Sequence, residues 1–257
     1  MGKIKIMEDS HAGFTNTWPG RDVHLWSFAL NLPAAEIKKY RSTLSEEEIA
    51  RSGRFYFEKD RNQSIITRGC MRAILALYLK TRPALIDFSY NPYGKPELAA
   101  NSLCAGLHTG LCFNLSHSHG IGMLAVAQIC PVGVDIEFMR ENLAYLEIAR
   151  RFFSPHEVSE LEGLPKNAQK EAFFQCWSRK EAYIKAVGGG LSVPLDRFDV
   201  SLKPGEPAAL LATRPNSGEA SKWELYRLEV PADYAGALAI RGKVDQLRYF
   251  HWADDES

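Results

Sequence analysis

Apolar residues along this chain change their period in an ordered way. Val23 to Leu30 (VHLWSFAL) is nearly continuous and predicts a buried strand. SEEEIARSGRFY then opens a helix, with Ser45 and Glu48 at capping-box spacing. In DRNQSIITRGCMRAILALYLK, Ile66, Cys70, Ile74 and Leu77 recur at helical steps while Arg61, Arg68 and Arg72 fall on another face, which predicts a long helix. Three strand-like runs follow: ALIDFSY, LCFNLSH and GMLAVAQ. Roughly 110 residues on, the order returns. PVGVDIEF reads as a strand, LEIARRFF and SPHEVSEL as short helices, NAQKEAFFQCWSRKEAYIKAV as a long helix, and DRFDVSL, WELYRLEV and AGALAIR as strands. Ser154, Pro155 and Glu157 mark one of those helix starts. The repeat lies in pattern, not in letters. It predicts two similar α+β halves over 21–130 and 131–251, joined near Cys130 and Pro131, with a loose arm over 1–20 and a tail over 252–257.

Composition adds exclusions. Of 257 residues, 46% are hydrophobic and 24% charged, ordinary globular usage that excludes a disordered or collagenous chain. Thirty-one basic residues balance thirty-one acidic ones, so no global field draws the chain to nucleic acid or to an anionic membrane. The five cysteines are odd in number and none forms a C-x-x-C pair, which argues against a disulfide framework or zinc ribbon and fits a reducing cytoplasm. No stretch has the apolar length of a signal peptide core or a membrane span.

Four short stretches carry the chemistry. In GVDIE, Asp135 and Glu137 share one side of a strand, where like charges repel. A protonated carboxyl, a divalent cation or a solvated edge strand would each relieve them. In WSRKEAYIKAVGGGL, Glu181 and Lys185 stand one helical turn apart, an arrangement common as a surface ion pair, and Gly188 to Gly190 stop the helix. Neither a G-x-G-x-x-G nor a G-x-x-x-x-G-K-[ST] loop occurs. FNLSHSHG places Asn114, Ser116, His117, Ser118 and His119 at a strand end; two histidines without further ligands suit hydrogen bonding to an anion better than metal binding. NPYGKPEL forms a turn that presents Lys95.

Taken in order, R-F, Y-G-K-P, F-N-L-S-H-S, G-V-D-I-E, W-S-R-K-E-A-Y-I-K-A and G-G-G-L resemble the 4'-phosphopantetheinyl transferases of the larger, surfactin-synthetase type, most clearly from Arg54 to Leu191. The resemblance implies a pseudo-dimer of two α+β halves with the active site at their interface. It implies transfer of the phosphopantetheine arm of coenzyme A to a serine of an apo carrier protein, with release of adenosine 3',5'-bisphosphate. Magnesium would sit on Asp135, Glu137 and Glu181. Glu181 would be the base, and Lys185 would neutralise or protonate the departing phosphate. Lys95, Ser116 and His117 would hold the 3'-phosphate and its surroundings, with Arg54 and Arg68 adding positive charge. Fatty-acid, polyketide and peptide-synthetase carriers all stay open, and a chain holding both halves can act as a monomer. Two rival readings keep the fold: a catalytically silent carrier-binding module, and a magnesium-dependent hydrolase of nucleotide pyrophosphates.

Overall fold

The computed structural model of the chain describes residues 20–99, 110–128 and 131–253. The first half runs β1 (Val23–Ala29), α1 (Ala34–Arg41), α2 (Glu46–Ser52), α3 (Glu58–Leu79), β2 (Phe88–Tyr90), β3 (Pro96–Leu98), β4 (Leu111–Ser118) and β5 (Ile121–Gln128). The second repeats that order as β6 (Val132–Phe138), α4 (Tyr145–Phe152), α5 (Pro155–Gly163), α6 (Lys166–Val187), β7 (Phe198–Val200), β8 (Leu210–Thr213), β9 (Trp223–Arg227) and β10 (Tyr234–Arg241). Sheet order repeats too, β1-β5-β4 in one half and β6-β10-β9 in the other, all antiparallel.

Both predicted capping boxes form, and each has a second task. Ser45 and Glu48 start α2, Ser154 and Glu157 start α5, each serine accepting from the backbone while each glutamate reaches back. The same carboxylates then pair with a buried cation from the long helix of their half. Glu48 meets Arg72 at 2.8 Å and Glu157 meets Lys180 at 2.7 Å. Arg72 also donates to the carbonyls of Pro83 and Ile86, and Lys180 to those of Leu195 and Phe198, so the cation fastens the segment that follows its helix. Arg72 and Lys180 hold the same place counted from the start of α3 and α6, helices of 22 residues each.

Each half has its own apolar core, and a third cluster lies between the sheets, where Val23, Leu25, Met123 and Ala125 meet Val132, Val134, Ile136 and Leu238. Strand alternation therefore turns Gly133, Asp135 and Glu137 of β6 to its other side, toward α6. There the helix backbone packs directly on the strand. A Cβ on Gly133 would lie 2.1 Å from the carbonyl oxygen of Ala182 and 2.3 Å from the nitrogen of Ala186.

The division by chain position does not hold for the closing strand. Residues 247–251, assigned with the second half, belong to β11 (Leu247–Trp252), which pairs in parallel with β1 from Val23 opposite Leu247 to Phe28 opposite Trp252. Aromatic packing holds it there: Phe250 stacks on Trp26 at 4.6 Å, and Trp252 Nε1 donates to Tyr40. The tail expected from 252 onward thus begins inside a strand, and 254–257, like 1–19, lie outside the described residues. Among the described residues no helix is long and apolar enough to cross a membrane.

Candidate active site

Strand β6 lies beside β4 at the seam between the halves, and side chains make the connection. Asn114 Oδ1, Ser116 Oγ and Ser118 Oγ accept from the backbone N–H groups of Val134, Ile136 and Phe138 at 2.9, 3.4 and 3.1 Å. The serines then donate onward, Ser116 to Asp135 Oδ1 at 3.0 Å and Ser118 to Glu137 Oε2 at 3.1 Å. The period of two along F-N-L-S-H-S thus matches the period of two along G-V-D-I-E. Each strand carboxylate has its own hydroxyl.

Asp135 is 2% exposed. Its Oδ1 also receives Lys185 Nζ at 2.6 Å, and that ammonium donates to Ser116 Oγ at 2.8 Å. Lys185 is therefore paired across to the strand and not with Glu181, as helical spacing suggested; the direct contact of α6 with β6 at Gly133 brings Asp135 within its reach. Ser116 uses its hydrogen and both lone pairs in these contacts. Asp135 Oδ2 is buried without a partner.

Crowding shows in the proton affinities. Burial, then Asp135, push Glu137 up to about 6, against a partial offset from Ser118 and Lys185. Burial and Asp135 likewise raise Glu181, with Lys185 opposing. Among the described residues no three His, Cys, Asp or Glu side chains form a ready-made ligand cluster. Two glutamates of raised proton affinity beside an aspartate with a partnerless buried oxygen nevertheless offer all-oxygen donors, the chemistry that hard divalent cations take.

The other predicted residues divide. His117 is exposed, and its imidazole is held below its ordinary value by surrounding protein and by the positive charges of Lys185 and Arg68. Arg68 Nη1 is buried with no partner. The two cations and the neutral imidazole share a neighbourhood fit for an anion. Lys95 lines the neighbouring cavity, but its Nζ is bonded to the carbonyls of Val132, Lys185 and Ala186. Arg54 is exposed in the loop before α3 and lines neither cavity of the site.

The larger cavity, about 740 Å³, opens between the halves, with Tyr93, Asn114 and Leu115 from one and Phe152, Trp177 and Glu181 from the other. A smaller recess of about 170 Å³ lies beside Glu137 and is lined by Arg140, Leu143, Phe173 and again Trp177. Sequence reasoning did not single out Trp177 as a site residue. Its signal was present, since it stands one helical turn before Glu181 and shares its face.

A family model described as "4'-phosphopantetheinyl transferase superfamily" matches residues 131–239, and one described as "4'-phosphopantetheinyl transferase, N-terminal" matches 33–129. Among curated proteins, the 4'-phosphopantetheinyl transferase HetI of Nostoc sp. is 35% identical over 90% of this chain and 92% of its own length. A putative 4'-phosphopantetheinyl transferase of Synechocystis sp. is 34% identical over 77% of this chain and 76% of its own. The 4'-phosphopantetheinyl transferase Sfp of Bacillus subtilis is 34% identical over 66% and 72%.

Proposed function

The chain belongs to the 4'-phosphopantetheinyl transferases, and from that premise we propose how its own residues carry out the reaction. The protein is an enzyme that transfers the phosphopantetheine arm of coenzyme A to carrier proteins. The observation that carries the assignment of roles is the buried, partnerless Oδ2 of Asp135 beside two glutamates of raised proton affinity.

Asp135, Glu137 and Glu181 would hold magnesium, whose charge, when bound, balances the carboxylates and the pyrophosphate of coenzyme A. Glu181 takes the proton of the carrier serine at its carboxylate, and its raised affinity brings it nearer the neutral range in which a general base works best. Lys185, on the next turn, brings its ammonium to the departing phosphate. Its bonds to Asp135 and Ser116 keep it aimed at the reacting centre until then. Arg68 Nη1 and His117 take phosphate oxygens of coenzyme A, and the cavity beside Glu181 and Trp177 takes the remainder of the molecule. Arg54 contributes charge at a distance.

Both halves of the site lie in one chain, so a monomer suffices. An odd number of cysteines with no C-x-x-C pair supports a cytoplasmic location. The carrier would dock on the segment that follows the carboxylate strand β6. Arg150 is engaged with Glu162 at 2.7 Å, and Leu143, Tyr145 and Leu146 pack on the core, which leaves Arg140 beside Glu137 and Arg151 beside Phe152 to meet an acidic carrier.

The test is transfer to an apo carrier followed by mass. Glu181→Gln should bind coenzyme A yet lose about 10² to 10⁴ in single-turnover rate, and Asp135→Ala should abolish transfer and flatten its magnesium dependence. Wild-type rate in Glu181→Gln would assign the proton to another group. Coenzyme A without carrier should stay intact; its cleavage would favour the hydrolase.

A further inference from the structure

The last turn of a helix leaves carbonyls without partners inside the helix, and the negative end of its dipole attracts a cation. At the end of α6 the partners come from the other half of the molecule. Lys95 Nζ donates to the carbonyls of Lys185 at 2.7 Å and Ala186 at 3.3 Å, and also to that of Val132, the first residue of β6, at 3.2 Å. Asn91 Nδ2 donates to the carbonyl of Gly188 at 2.9 Å, while its Oδ1 accepts from the N–H groups of Tyr93 and Lys95. One side chain thus shapes the turn and attaches it to the helix. Gly188 makes the close fit possible: it caps α6 at a φ of +74°, and a Cβ there would stand 3.0 Å from Asn91 Nδ2 and 3.4 Å from Lys95 Cδ.

An ammonium has three hydrogens, and three carbonyls take them here. No donor of Lys95 is left over for a phosphate. Burial also lowers its proton affinity, as expected for an ammonium held away from water.

We infer that Lys95, seconded by Asn91, is a positioning residue: a clamp from the first half that ties the last turn of α6 to the start of β6 and so fixes Lys185 and Glu181 against Asp135 and Glu137. The bonded carbonyl belongs to Lys185 itself, the residue whose ammonium reaches Asp135, so backbone and side chain of one residue are held from two directions. The inference rests on the roles given above to Glu181 and Lys185.

Lys95→Met keeps the stem and removes the ammonium; Asn91→Ala removes the second contact and is the milder variant should the first fail to fold. Steady-state transfer would be measured with coenzyme A and with dephospho-coenzyme A, beside hydrogen exchange of the holo chain. Lys95→Met should lower kcat about tenfold or more on both substrates, with KM for each within about twofold of wild type, since displaced catalytic groups cost rate before affinity. Amides of the last turn of α6 should exchange faster while those of α3 keep their rate. Asn91→Ala should do the same to a smaller extent, and Lys95→Arg should restore part of kcat. A rise in KM for coenzyme A alone, with kcat kept, would overturn the clamp in favour of a phosphate contact. So would unchanged exchange in α6. Lys185→Ala separates the premise from the inference: if it transfers at the wild-type rate, the catalytic roles fail, whereas the exchange result reads the clamp independently.

Discussion

Counted from the start of each strand and helix, Trp26 and Phe28 of the first half stand where Asp135 and Glu137 stand in the second, and Ala73 and Leu77 where Glu181 and Lys185 stand. The surroundings differ accordingly. In the first half the indole stacks on Phe250 and the phenyl ring lies over Gly122, whose missing Cβ makes room for it. His24, the counterpart of Gly133, points to Tyr78, the counterpart of Ala186, with 2.9 Å between Nδ1 and the hydroxyl. In the second half Gly133 and Ala186 contribute almost no side chain, and the helix comes down on the strand. One half thus fills the gap between strand and long helix with rings. The other closes it with backbone and sets charged groups along its rim. The fold supplies the frame twice, and at four matched positions one copy carries apolar side chains where the other carries Asp135, Glu137, Glu181 and Lys185.

The strongest way to break this comparison is to write the second half's chemistry into the first. Trp26→Asp would bury a carboxylate with no hydroxyl ladder beside it and should destabilise by more than about 4 kcal/mol in urea titration. Asp135→Asn should leave stability within about 1 kcal/mol, because relief of Glu137 and Glu181 offsets the lost pair with Lys185. Equal tolerance at both positions would show that the ring-filled gap and the charged rim do not differ in the way described.

A second test asks whether the shared buried pair does the same work in each half. Arg72→Met and Lys180→Met each strand a buried glutamate, Glu48 or Glu157, and should each cost about 3 to 5 kcal/mol. A large loss in one half only would mean that the duplicated geometry is energetically lopsided.

Per pH unit the effect is smallest, and its sign differs between the halves. Burial, then Arg248, lower His24 from 6.5 to about 3, so the unfolded chain takes up its proton first as pH falls, and stability declines through that window by at most about 1.4 kcal/mol per unit. Glu137 is raised from 4.5 to about 6, so in magnesium-free protein the folded state takes up that proton first, and stability gains slightly between those values. Urea midpoints across this range should lose the decline in His24→Leu and the gain in Glu137→Gln. If His24→Leu keeps the wild-type acid slope, the imidazole is not the titrating group.

Local signals were legible and distant ones were not. Ser45 with Glu48 and Ser154 with Glu157 announce their helices because a capping box is contained in four residues. The two long helices and the strand that carries Asp135 and Glu137 follow from period and resemblance. The partners of Glu48 and Glu157 lie on other helices, and no spacing points to them. Lys95 read as a turn lysine offered to the 3'-phosphate of coenzyme A, because the carbonyls that hold it come from 37 to 91 residues away. Helix α1, short and with only Tyr40 buried, gives too weak a stripe to be read. Strand β11 was missed for another reason: LRYFHW mixes apolar and basic residues at a sheet edge, and its place beside β1 is set by aromatic contacts made after folding.

That parallel strand makes the first half dependent on the second for its completion. Ser27 meets His251 across 224 residues, so β1 has its β5 neighbour early in synthesis but waits for nearly the whole chain before its other edge is covered. Until then a row of backbone donors and acceptors lies open beside an uncovered Trp26, the kind of edge onto which other chains add strands. Such distant pairing also slows folding, since loop closure precedes any gain from the contact. The N-terminal half expressed by itself should therefore be sticky where the whole protein is not, and a peptide carrying LRYFHW should be the piece that quiets it.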